Sequence, residues 1–279
     1  MKKLIIPSLL LMILLLVSCG QKKLPQQDTE PIETELESED TEKKAEIERI
    51  TPIVTAFIDY VKAGKEELSK HITYPLNRDY PIPPIKDRKE FLKRYDEIFD
   101  AILLKMIVDS DITNWSEVGW RGIMLNNGDV WIDEYDDGVK LQAINYQSNA
   151  ETNKKEALIN DYRNSVHESL RKFENPIAEI KTKSYLIKID YIGNDLYRYA
   201  SWKVGSSISE KPDLILTNGI LSIEGSMANH VYSFTNGNYI YQCYFSDYLK
   251  KGLIIFKDAQ LDENGYVFGG TEILNQNGI

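Results

Sequence analysis

The residues best suited by type to hold a ligand are two tryptophans and a neighbouring arginine. Trp120 and Trp131 lie in segments whose alternating pattern predicts adjacent strands, and Arg121 directly follows Trp120. Two indole rings beside a guanidinium group suit a flat or sugar-like ligand in a pocket. The same rings are equally well explained as core residues, so the sequence leaves a pocket and a plugged core as alternatives.

A second pair of candidates lies on the predicted helix FLKRYDEIF. Asp96, with Tyr95 beside it, would act as a general base if it faced the inside of the fold. The alternative is a carboxylate on the solvent-facing side of that helix, where charged residues usually lie. The sequence assigns a catalytic role to neither residue.

Metal and nucleophile motifs give no positive signal. The three histidines are scattered along the chain, without the spacing of a zinc site. The acidic segment DEYDDG does not match a calcium loop, because Tyr135 and Ile144 stand at two of the ligand positions. No GxSxG, Walker or GxGxxG motif occurs. We therefore predict no metal site, no cofactor and no enzyme activity.

The elements that would position these residues begin near residue 46. Thr51-Pro52 predicts a helix start, and Asp87 with Glu90 predicts the capped start of a second helix. The pattern then changes to alternation, and the turn signals NNG and DDG predict an antiparallel meander. Helices followed by such a sheet indicate an α+β domain over residues 46–148.

This region resembles the NTF2-like fold, a cystatin-like arrangement of helices on a curved antiparallel sheet. The resemblance rests on the helix that ends at AGKEEL, the YPL that follows, FLKRYDEIF and GIMLNNGDVWI, all within residues 46–147. It implies a cone-shaped interior, in which hydratases and isomerases of the family hold an Asp–His pair or a Tyr–Asp set. An enzyme of this cone type is therefore one alternative function.

The rest of the chain changes from a helical to a strand pattern. An apolar stripe over residues 149–175 predicts a connecting helix, and the sequence leaves open which domain it packs on. Short tyrosine-rich strands separated by turn signals predict an all-β barrel or sandwich over residues 176–279. The expected fold class is α+β, an NTF2-like domain followed by this β domain.

The N-terminal residues have the features of an export signal. Lys2 and Lys3 precede an apolar run over residues 4–17. That run is shorter than the roughly 20 residues needed to span a bilayer core, so it fits the apolar region of a signal peptide.

The end of this run, Leu16-Val17-Ser18-Cys19, resembles the lipobox of bacterial lipoproteins. The resemblance implies removal of residues 1–18 and acylation of Cys19 with fatty acids such as palmitate, which anchor a protein stably in a membrane. Gly20, in the place where Asp commonly causes inner-membrane retention, favours the outer membrane if the source is Gram-negative. We therefore expect a cell-envelope location.

Charge and composition narrow the possible partners. Residues 19–45 are acidic and lack aromatic residues, which predicts a flexible tether. The net charge of -10 argues against nucleic acid and against direct adhesion to anionic lipid, so the membrane partner would be reached through the acyl chains. Once Cys19 is acylated, Cys243 alone remains, and its place in NYIYQCYF predicts a buried, unpaired thiol.

A segment of the β region, EGSMANHVYSFTNGNYIY, resembles the small-barrel inhibitors of C-type lysozyme. The resemblance implies an interaction loop with Gly225, Ser226 and Tyr232. Our expectation is a lipid-anchored envelope protein that binds a glycan or an envelope protein without turnover. The NTF2-like enzyme and the lysozyme inhibitor are its alternatives.

Overall fold

The structure is a computed structural model that describes residues 33–225, 229–245 and 251–279, with side chains from residue 41 onward. By its contacts the chain divides into two compact units, Met1–Lys44 and Ala45–Ile279. Cys19 and Ser226 lie outside the described residues. No helix in the described ranges is long and apolar enough to cross a membrane.

The first helix, α1, runs from Glu33 to Lys62 and begins well before the predicted start at Thr51-Pro52. Its early part is rich in Glu and Lys, which are strong helix formers, and acids precede Lys43 and Lys44 by four residues. Helical structure therefore covers part of the segment expected to be a flexible tether. Thr51 does not cap a helix, since its hydroxyl donates to the carbonyl of Ile47 at 2.5 Å within the same helix.

A one-turn helix α2, Lys65–Leu68, follows α1, and two longer helices come after it: α3, Arg88–Ile98, and α4, Ala101–Val108. The predicted cap of α3 is confirmed, because the Asp87 carboxylate accepts the Glu90 N–H at 2.9 Å. In the sequence, one helix over this segment is predicted by the apolar stripe Phe91, Tyr95, Ile98, Phe99, Ile102 and Met106. The structure breaks it, because the Asp100 carboxylate accepts two N–H groups of α4 and so begins a new helix.

The smaller sheet has four antiparallel strands in chain order: β1 Trp115–Glu117, β2 Ile123–Leu125, β3 Val130–Tyr135 and β4 Gly138–Ile144. The hairpins predicted from NNG and DDG are confirmed. The strand predicted around Trp120 is instead interrupted by a 3₁₀ turn, Gly119–Arg121. Gly119 and Gly122 take positive φ values of 52° and 90°, which end the strand on both sides of the turn.

Helices and the smaller sheet share one apolar core. Its aromatic members are Phe57, Phe91, Tyr95, Phe99 and Trp115, all of them buried. Tyr95 stacks on Phe99 with ring centroids 4.9 Å apart, and Trp115 packs edge-on against Phe57 at 6.1 Å. Aromatic rings therefore fill the space between these helices and the sheet.

Helix α5, Asn149–Ser165, lies between the two sheets in the chain and ends earlier than predicted. Lys154 near its start forms an ion pair with Glu97 of α3 at 2.6 Å. Tyr162 near its end packs in a cluster with Trp202 of the larger sheet. The helix therefore packs on both parts of the unit, which settles the alternative that the sequence left open.

The larger sheet has eight antiparallel strands, each paired with its neighbours in the chain. They are β5 Asn175–Lys181, β6 Tyr185–Gly193, β7 Leu196–Lys203, β8 Leu214–Glu224, β9 Asn229–Asn236, β10 Tyr239–Phe245, β11 Lys251–Leu261 and β12 Val267–Asn277. The α+β class is confirmed, with strands predominating. No closed barrel is seen in the described strands, since β5 and β12 are the two edges of the sheet.

One face of the larger sheet forms a separate core, with Tyr199, Phe234 and Cys243 among its fully buried side chains. Gly219 makes room for it, because a Cβ at that position would lie 2.1 Å from Phe234 Cε1. The prediction that Cys243 is a buried, unpaired thiol is confirmed.

This burial leads to a testable difference in thiol reactivity. In a Cys19→Ala variant Cys243 is the one remaining cysteine, and burial raises the pKa of its thiol, so the reactive thiolate is scarce at neutral pH. We expect a thiol-modifying reagent to react at least about a thousandfold more slowly with the folded than with the unfolded protein, because opening the core costs on the order of 5 kcal/mol. The labelling rate is measured by absorbance, with and without denaturant. Rapid labelling of the folded protein would contradict the buried position of Cys243.

Candidate functional site

A cleft of about 480 Å³ lies where α3 and α5 meet Pro83 of the proline-rich loop, which comprises residues 75–84. Its charged lining consists of Lys89, Lys93, Arg94 and Lys154 on the basic side, and Asp87, Glu90 and Glu97 on the acidic side. Four basic against three acidic groups leave one net positive charge, whereas the whole chain carries -10. The cleft therefore favours anions more than the average surface of the protein does.

Helix α3 supplies one wall of this cleft. Glu90, Arg94 and Glu97 are three or four residues apart and so share one face of the helix. The Arg94 guanidinium donates Nε to Glu97 Oε2 at 3.0 Å and Nη1 to Glu90 Oε1 at 3.3 Å. Nη1 also donates to the Pro83 carbonyl at 2.9 Å, which ties the helix to the loop. Arg94 thus holds the two parts of the cleft together.

One donor of Arg94 is not used. The side chain is 6% exposed, and Nη2 has no hydrogen-bond partner in the part of the chain that the structure describes. A buried donor without an acceptor costs about 1–3 kcal/mol. Because Nη2 is itself buried, a molecule bound in the cleft does not reach it in this conformation, and the donor stays unsatisfied inside the protein.

The remaining charges of the cleft include both paired and unpaired groups. Although partial burial raises it, hydrogen bonds from Lys154 and Arg94 hold the pKa of Glu97 below its usual value. Lys89 and Lys93 are exposed and form no ion pair with any described residue. Asp87 likewise forms no ion pair with a described residue, so the three unpaired groups of the cleft together carry one net positive charge.

The two tryptophans that were candidates for a pocket differ in burial. Trp120 lies on the 3₁₀ turn with 64% of its surface exposed, and the Arg121 guanidinium stands 5.8 Å from its ring. Trp131 is half-buried on β3, close to Gly128, where a Cβ would lie 3.1 Å from the indole nitrogen. Because Trp120 is exposed, it is neither a core residue nor a wall of an enclosed pocket.

The candidate residues Tyr95 and Asp96 also differ in burial. Tyr95 is buried in the aromatic core, and this burial raises the pKa of its hydroxyl. Asp96 is exposed on the outer side of α3. Asp96 therefore takes the solvent-facing position that was the alternative interpretation.

In the predicted interaction loop, the two described residues have different environments. Gly225 adopts a positive φ of 73° at the end of β8. Tyr232 is 5% exposed and packs edge-on against Tyr197 and Phe245, with centroids 4.8 and 5.6 Å away. Tyr232 belongs to the core of the larger sheet and offers little surface to a partner.

Two buried ion pairs, which the sequence analysis missed, fix α5 beside this site. The first joins Arg78 of the proline-rich loop to Glu151 in the first turn of α5, with side chains only 2% and 0% exposed. Ser148-x-x-Glu151 looks in the sequence like an ordinary helix-capping pattern. Arg78 gave no local signal, because its partners lie far along the chain.

The second buried pair joins Asp190 of β6 to Arg198 of β7, at 2.6 Å between Oδ2 and Nη2. Arg198 also donates to the carbonyls of Leu170 and Lys172, which follow α5. Oδ1 of Asp190 has no hydrogen-bond partner among the described residues. The pair therefore connects the segment after α5 to the outer face of the larger sheet.

Metal sites and relatives add nothing to this picture. Within the described ranges, no three His, Cys, Asp or Glu side chains come together to hold a metal ion. No protein-family model matches the chain, and no curated protein or solved structure matches it either.

Proposed function

We propose that this chain is a lipid-anchored cell-envelope protein that binds a ligand in the cleft between α3 and α5. The observation that carries the binding function is the pair of exposed lysines in the cleft, Lys89 and Lys93, which form no ion pair with any described residue. The lipobox pattern ending at Cys19 supports the anchor, and Gly20 favours the outer membrane of a Gram-negative source.

The charges of the cleft favour binding over catalysis. A general acid or base works best when its pKa lies near the working pH. The hydrogen bonds from Lys154 and Arg94 lower the pKa of Glu97 away from that range, in spite of its partial burial. Glu97 therefore serves to position Arg94 and Lys154, which both donate hydrogen bonds to it.

A finer proposal concerns the family resemblance of the N-terminal half. Four helices, α1 to α4, precede an antiparallel four-stranded meander and share its core. This order supports an NTF2-like arrangement, in which the interior is filled by aromatic side chains instead of forming an open pocket. An experimental structure with a cone-shaped sheet would establish it, and a flat sheet would contradict it.

The anchor is tested by a mass spectrum of the protein purified from membranes. We expect an N-terminal peptide that begins at Cys19 and carries the mass of two or three acyl chains. The Cys19→Ala variant should lack this mass and leave the membrane fraction. Cys243→Ala is the matched control, because it removes the other cysteine and should stay lipidated. An unmodified Cys19 peptide in the membrane fraction would contradict the anchor.

A further inference from the structure

We infer that the cleft binds an anionic group carried on a polyhydroxylated molecule, such as a sugar acid or a polyol phosphate. This inference rests on the proposed binding function and names the class of its ligand. The carboxylate or phosphate oxygens accept hydrogen bonds from the basic groups, and the ligand hydroxyls donate to the acidic ones.

The preference for an anion follows from the groups that lack partners. The ammonium groups of Lys89 and Lys93 line the same cleft and are exposed. Charge-assisted hydrogen bonds from such groups to carboxylate or phosphate are stronger than those to neutral oxygens.

The size of the cleft requires more than the anionic group alone. Its volume of about 480 Å³ lies within the range of small-molecule pockets, which is about 300–1,000 Å³. A lone phosphate or carboxylate would leave most of that space to water. A sugar ring or a polyol that bears the anion fills it better.

The acidic side chains explain why the rest of the ligand should carry hydroxyls. Asp87 uses Oδ1 to cap α3, and its exposed carboxylate has further acceptor capacity for a hydroxyl donor. A purely anionic ligand would be repelled by Asp87, whereas a hydroxyl next to the anion donates to it. The alternation of bases and acids therefore matches an anion with hydroxyl neighbours.

The test uses isotope-labelled Cys19→Ala protein, titrated with glucuronate and with glycerol phosphate and followed by amide NMR shifts. Glucose and glycerol are the neutral controls. We expect saturable shifts of α3 amides with a Kd on the order of 1 mM for at least one anion. The neutral molecules should bind at least about tenfold more weakly. If glucuronate has the lower Kd, the anionic group of the ligand is a carboxylate; if glycerol phosphate has the lower Kd, it is a phosphate.

Charge variants locate the binding in the cleft. Lys89→Gln with Lys93→Gln should weaken anion binding about tenfold. Lys203→Gln with Lys211→Gln removes the same charge from exposed positions outside the cleft lining and should leave binding unchanged. Equal binding of neutral and anionic probes, equal effects of the two double variants, or no α3 shift with either anion would overturn the ligand class. Lipidation of Cys19 is measured separately, so a failure of the anchor and a failure of the ligand class are distinguishable.

Discussion

Replacing Arg78 by methionine is expected to lower the free energy of unfolding by about 3–5 kcal/mol. Arg78 donates Nε to Glu151 Oε1 at 2.7 Å and Nη2 to the Tyr146 carbonyl at 2.9 Å. Because both charged side chains are almost fully buried, the variant leaves the Glu151 carboxylate in the interior without a compensating charge. Denaturant unfolding followed by tryptophan fluorescence measures the loss.

An exposed arginine pair provides the matched control. Arg49 of α1 pairs with Glu117 of β1, but these side chains are 57% and 33% exposed. Arg49→Met should therefore cost only about 0–1 kcal/mol, since water screens the pair. Adding Glu151→Leu to Arg78→Met should recover part of the stability, because it removes the uncompensated charge. An Arg78→Met variant as stable as Arg49→Met would show that the pair is not buried in solution.

The features that the sequence predicted correctly are those with a local cause. Asp87 caps α3 through a residue three positions away, and the NNG and DDG turns lie inside single hairpins. The predicted start of α1 was wrong, because the sequence analysis took Pro52 as the first helical residue. In the structure the Glu- and Lys-rich segment before it is already helical, and helix propensity summed over many residues outweighs one missing N–H.

The cleft could not be predicted because its parts are remote in the chain. Lys154 reaches Glu97 only after α5 packs against α3, and the charges of α3 alone look like an ordinary solvated helix face. The exposure of Trp120 has a local cause instead, because two glycines with positive φ break the alternation around it. A pattern of period two cannot anticipate such a turn.

The buried charges of the larger sheet show a similar limit. Lys188 and Asp190 alternate with apolar residues on β6, which normally indicates a solvent-facing side. In the structure α5 covers that side of the sheet. The Lys188 ammonium group lies over the ring of Tyr162 in α5, 4.7 Å from the ring centroid. Asp190 lies directly opposite Arg198 in the register of β6 and β7. The two opposite charges would predict an ion pair only to a reader who already knew that register.

Arg198→Met is therefore expected to destabilise the protein by about 3–5 kcal/mol, and by more at high than at low pH. Burial raises the pKa of Asp190, and the opposing Arg198 charge contacts only one of its two carboxylate oxygens. An acid whose pKa is higher in the folded than in the unfolded state binds protons more readily when folded. Its contribution to stability is therefore largest at low pH and is lost as the pH rises. Removing Arg198 raises that pKa further, so the slope should steepen.

The measurement is the free energy of unfolding of Arg198→Met relative to the unmutated protein, between about pH 5 and about pH 8. Adding Asp190→Asn to Arg198→Met removes the titrating carboxylate, so the double variant should lose the extra pH dependence and regain part of the stability at high pH. A loss that is equal at both pH values, or a double variant that unfolds as easily as Arg198→Met, would mean that the uncompensated carboxylate is not the cause. The cost would then come from the two carbonyls of Leu170 and Lys172, which lose their donors in both variants.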